Sequence, residues 1–164
     1  MTHELRASQD DDRAPMTLDE RAVWTYLIVL VLTSGAYAAV VIPRALATPI
    51  EDVEWVVPML WAIGLCIVGT VLGAIAGAIG SAVGQAARGR DPEVEHGSDE
   101  RDKEIERLGD RKTQGIIGAG MLAALILAMV DADTFWIGNA LFATGTVAGL
   151  VETAVKIRAY RRGF

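Results

Sequence analysis

The sequence predicts an all-α polytopic membrane protein, with four transmembrane helices built as two helical hairpins. Three observations predict it. First, 52% of the 164 residues are hydrophobic, and the mean hydropathy of +0.34 is high for a water-soluble domain. Second, the charged residues, 22% of the chain, collect in the first 21 positions, between Arg88 and Lys112, and at the C-terminus. Third, four long runs nearly free of charge separate these blocks, and fourteen of the fifteen Lys and Arg fall on one side of those runs. One domain is expected at this length.

A helix needs about 20 apolar residues to cross a hydrocarbon core roughly 30 Å thick. Residues 1–21 are too polar for that, with Asp10, Asp11 and Asp12 in succession, and are expected to form a disordered tail. The first span covers about 22–42 and is expected to end at Pro43. Its acidic leader and long apolar run distinguish it from a signal peptide. The second span, about 55–83, has length to spare and can tilt. A polar loop, 84–113, follows. The third span, about 114–130, is the shortest, and Asp131-Ala132-Asp133 turns it into the fourth, about 135–157. Residues 22–164 thus form a single transmembrane domain.

Lys and Arg placement sets orientation. The tail carries Arg6, Arg13 and Arg21; the central loop carries seven basic residues; the C-terminal end carries Lys156, Arg158, Arg161 and Arg162. The loop after the first span holds only Arg44, and the loop after the third holds none. Both termini are therefore expected in the cytoplasm of a prokaryotic cell, with the spans in its inner or plasma membrane. Aromatic rings prefer the interfaces, which suits Trp24, Tyr26 and Tyr160 on the inner side and Trp55, Phe135 and Trp136 on the outer.

Small residues let helices approach closely in lipid. Gly69, Gly73 and Gly77 recur at steps of four in the second span, followed by Gly80 and Gly84; Gly145 and Gly149 repeat the step in the fourth. Such a stripe serves either packing within the chain or self-association into a homo-oligomer, and the spacing fits both. A weak internal echo also runs through the chain. Asp19-Glu20-Arg21 matches Asp99-Glu100-Arg101, and Gly69-Thr70-Val71 matches Gly145-Thr146-Val147, as two parallel repeats would.

The stretch from Ser98 to Lys112 has acids in its first turn and bases in its last, which suits a helix dipole. A short surface helix is expected there, broken at Gly109. Asp99, Glu100, Arg101 and Asp102, with the apolar Ile105 and Leu108, are the candidate docking residues for a cytoplasmic regulatory protein. A solvated helix beside the membrane fits the same residues.

Several chemistries find no support. The net charge of -6 and pI near 4.9 oppose direct nucleic-acid binding, which rewards clustered cations. Cys66 is the single cysteine, so no internal disulfide forms. His96 among flexible acids makes a poor metal site. No catalytic or phosphate-binding motif is present, so neither an enzyme nor a cofactor is expected. Polar groups inside spans are suspects for transport. The candidates are Asn139, one turn inside the fourth span, and Glu152, which shares a helix face with Lys156.

The residues DERDKEI from Asp99, the glycine-bearing third span, the tight acidic turn before Phe135-Trp136 and the ending KIRAYRRG resemble an uncharacterised prokaryotic family. Its members are small four-helix membrane proteins with an Asp-Glu-Arg-Asp motif in the central cytoplasmic loop. The resemblance covers about residues 98–164. It implies a non-enzymatic protein, often paired with a helix-turn-helix regulator, in a sensing or immunity role. Three functions are thus expected to compete. One is a self-associating or partner-docking membrane protein. Another is a small transporter or channel using the fourth span, and the last is an accessory subunit of a larger membrane complex.

Overall fold

Long runs of Ala, Leu, Ile and Val bounded by polar turns can satisfy their backbone in lipid only as helices, and helices form. The computed structural model describes residues 18–87 and 100–162, with side chains over 20–83 and 103–161. Helix α1 spans Leu18–Ala47, α2 Val56–Ala87, α3 Glu100–Met129 and α4 Thr134–Arg162. No strand occurs among the described residues, and each helix is long and apolar enough to cross a membrane. The tail 1–17 and the linker 88–99, which includes His96 and Asp99, lie outside the described residues.

Several boundaries depart from the sequence reading: α1 begins at Leu18, inside the tail expected over 1–21, α2 runs to Ala87, into the loop expected from 84, and α4 runs to Arg162 rather than 157. Helix α1 does not stop at Pro43 but runs on to Ala47, where the Thr48 amide donates to the Arg44 carbonyl at 2.9 Å. Proline removes one amide and crowds one carbonyl, and tertiary packing on both sides outweighs that. Val41 is 2% exposed, and Ala45 packs on the same cluster. Helix α3 is not a surface helix broken at Gly109 and followed by a span; one unbroken helix runs from the charged segment through the third span.

The turn between α3 and α4 shows how two helices close in four residues. Ala132 donates to the Leu127 carbonyl and Asp131 to that of Ala128, the pattern of a Schellman end. Asp131 occupies the left-handed position with φ 53°. Asp133 then caps α4, its Oδ1 accepting from the Phe135 amide at 2.7 Å.

The helices form an open row in the order α2, α1, α4, α3. Helix α1 packs on α2 and α4, α4 packs on α3, and the outer helices share no extended interface. The architecture is thus two hairpins joined edge to edge by α1 and α4, not a closed bundle. It also lacks the two-fold partner that a symmetric repeat would need, because the α1–α4 interface has no α2–α3 counterpart.

The main core lies across α2, α1 and α4, at the helix ends beside the α1–α2 loop. Tyr37, Val41, Met59, Ala62 and Phe135 are buried together, and Val53 from the first loop plugs them. Trp55 packs on Gly138, where a Cβ would lie 2.5 Å from its ring, and meets Phe135 edge to face. Phe135 is therefore a core residue rather than a membrane anchor; Trp136, 51% exposed, stays outward.

Candidate functional site

The candidate residues separate into four places. The first is the helix pair where α3 and α4 extend past the apolar runs. Ile105 is 0% exposed although Lys103, Glu104, Glu106 and Arg107 around it are exposed. Ile105, Gly109 and Thr113 recur at steps of four, and all are buried. Gly109 lets α4 approach; a Cβ there would meet Lys156 Cε at 2.9 Å and Glu152 Cγ at 3.1 Å. Thr153 and Ala159 of α4 are also buried. The apolar stripe expected to dock a partner is thus covered by the chain's own fourth helix. Ile105 offers no side chain to a partner, and Leu108 is half-buried. Glu100, Arg101 and Asp102 lie on the first turns of α3, and their side chains fall outside the described residues, as does Asp99.

The second place is the pair of polar groups expected to mark a transport path. Asn139 accepts from the Tyr37 hydroxyl at 2.7 Å and donates to its own Phe135 carbonyl at 2.8 Å. Glu152 accepts from Lys156 at 2.5 Å. The two residues are thirteen positions apart on α4, about 20 Å along the axis. Asn139 faces α1, while Glu152 faces Gly109 on α3. The structure does not bring them together. Tyr37 was missed because a lone tyrosine in an apolar run carries no spacing signal of its own.

The third place is the glycine stripe, and it divides. Gly69 and Gly73 face α1. A Cβ at Gly69 would lie 3.0 Å from Val29, and one at Gly73 would overlap Thr25. Gly149 likewise receives Tyr26 and Leu30. Gly77, Gly80 and Gly145 face open space. Only the backbone of Gly84 is described. One half of the stripe packs the fold, and the other half meets nothing among the described residues.

The fourth place is a pair of lateral grooves that the open row creates. One, about 780 Å³, lies between α2 and α4 over α1, lined by Leu30, Met59, Cys66, Ile67 and Leu141. Four of its hydroxyls, those of Thr33, Ser34, Thr70 and Thr146, each bond a carbonyl one turn earlier on their own helix, and Tyr26 also lines it. The other groove, about 670 Å³, runs between α1 and α4 on the opposite face, from Leu46 and Trp136 to Val31 and Leu150. Toward the termini, Arg161 lies over the Trp24 ring, its guanidinium carbon 5.2 Å from the ring centroid. Among the described residues, the Trp24 indole nitrogen is the buried side-chain polar atom without a hydrogen-bond partner.

No protein-family model, curated protein or solved structure matches the chain. Among the described residues, no group of three His, Cys, Asp or Glu converges as metal ligands would.

Proposed function

We propose that this chain is a non-enzymatic membrane protein that self-associates through the open face of α2. The observation that carries the reading is the divided glycine stripe. Gly77 and Gly80 are one turn apart, continue the line that packs α1, and have no heavy atom of the described residues within 4 Å of a Cβ position. Glycine costs about 1 kcal/mol of helix propensity relative to alanine. A lipid-facing helix surface gains nothing from it, whereas a helix–helix contact gains backbone approach and van der Waals contact. Helix α2 is also an outer member of the row, with an extended interface to α1 only.

The transporter reading is weaker, because Asn139 and Glu152 are both bonded and face different helices. The docking reading keeps the exposed charges of α3, without the apolar contact that would anchor a partner.

The test is native mass spectrometry in lipid nanodiscs on a Gly77→Leu/Gly80→Leu variant. A Cβ at either position meets nothing among the described residues, so the variant is expected as a folded monomer where the wild-type chain is an oligomer. A variant with the wild-type oligomeric state refutes the proposal. Gly73→Leu is the wrong probe, since it strikes Thr25 inside the same chain.

A further inference from the structure

We infer that the Trp24–Arg161 end of the α1–α4 groove binds an anionic glycerophospholipid of the leaflet that faces the chain termini. Two donors meet there. The indole N–H of Trp24 is buried without an acceptor among the described residues, and the Arg161 guanidinium lies over the same ring. Indole and guanidinium donate but do not accept. Two donors on one ring, the guanidinium over its face and the N–H at its edge, suit an oxyanion, and an unpaired buried N–H is costly.

The rest of the site says which oxyanion. Trp24 precedes Val31 by seven residues and Arg161 follows Leu150 by eleven. Both steps keep to one helix face. Val31 and Leu150 line the groove on α1 and α4. The donors therefore share helix faces with the groove and lie beyond its lining, Trp24 about 10 Å from Val31 along α1. A phosphate at Trp24 would send an acyl chain about 15 Å into the membrane, half of the hydrocarbon core. That reach covers the near half of the groove, past Val31, Ser34, Val147 and Leu150.

Charge favours an anionic headgroup over a zwitterionic one. At this end α1 and α4 carry Arg21, Arg158, Arg161 and Arg162 against Asp19 and Glu20, while Glu152 is already paired with Lys156. Basic pockets between helices at the interface recognise anionic headgroups in this way. Arg161 has a flexible stem, so the guanidinium can turn from the ring to the phosphate while its methylenes stay in the groove. A free phosphate would satisfy the donors but leave the groove unused.

The test is native mass spectrometry of the full chain released from nanodiscs of equal parts phosphatidylglycerol and phosphatidylcholine. The retained lipid is expected to be phosphatidylglycerol. Trp24→Phe keeps the ring and removes the N–H; Arg161→Gln removes the charge. Each is expected to lower lipid occupancy about five-fold. Arg161→Lys is expected to restore most of it, and Trp61→Phe, on an exposed ring, to change nothing. Melting curves equal to wild type show that the variants fold. Equal retention of the two lipids, unchanged occupancy in Trp24→Phe and Arg161→Gln, or displacement by millimolar inorganic phosphate would overturn the inference. The Gly77→Leu/Gly80→Leu variant is expected to keep its lipid, so this result stands apart from self-association.

Discussion

Ile105→Ala is the substitution on which the intramolecular and partner-docking readings of the charged segment disagree most. The side chain is 0% exposed, on the α3 face where Gly109 meets Glu152 and Lys156 of α4. Alanine removes three carbons. At about 0.8 kcal/mol each, transfer to water accounts for roughly 2.4 kcal/mol. The cavity left behind adds to that, because the neighbouring helix can collapse only partly; the total is about 3 kcal/mol, inside the usual range for such truncations. The surrounding Lys103, Glu104, Glu106 and Arg107 are exposed and charged, so the site meets water and the transfer term applies in full. Hydrogen exchange read along α3 is the assay. Residues 103–113 are expected to lose protection about a hundredfold, with the membrane-embedded remainder of the helix unchanged. Glu106→Ala, one residue away and exposed, is expected to stay within about 0.5 kcal/mol of wild type. Unchanged exchange in Ile105→Ala, coupled to loss of a co-purifying protein, would show that Ile105 faces outward.

Other expectations follow from the same packing. Gly120→Ala places its Cβ on the Thr144 side chain and should destabilise the α3–α4 pair by about 1–3 kcal/mol in denaturing-detergent titrations, whereas Gly118→Ala meets nothing and should not. Asn139→Leu leaves the Tyr37 hydroxyl without its acceptor and should cost about 1 kcal/mol; adding Tyr37→Phe should recover part of that in a double-mutant cycle. Asp131→Gly relieves a non-glycine residue at φ 53° and should raise stability by up to about 1 kcal/mol, whereas Asp131→Val should lower it; thermal denaturation in detergent reads both.

The four spans were legible in the sequence because lipid imposes one rule everywhere: an apolar run of sufficient length must satisfy its backbone as a helix. The turn at Asp131-Ala132-Asp133 was legible for the same reason, since polar residues between two apolar runs have one place to go. Local pattern misled at Pro43 and Gly109. Both residues weaken a helix by propensity, yet at both the neighbours decide. Val41 and Ala45 hold the turn around Pro43, and the close approach of Lys156 makes Gly109 a contact point rather than a break.

The site was less legible, because spacing along a helix gives a face but not what covers it. Gly69, Gly73, Gly77 and Gly80 read as one stripe, and only the position of α1 divides them into a packed half and an open half. Asn139 and Glu152 read as two suspect polar groups, and only Tyr37 and Gly109 show that they face different helices. Trp24 and Arg161 lie 137 positions apart and meet because α1 and α4 are neighbours. The sequence alone determined that four helices form and that the turns between them are polar, since hydropathy and backbone satisfaction act locally. Tertiary structure alone decided the open order α2, α1, α4, α3, because in lipid apolar surface does not select a neighbour and helices are matched by the fit of side chains such as Thr25 and Tyr26 into particular glycines.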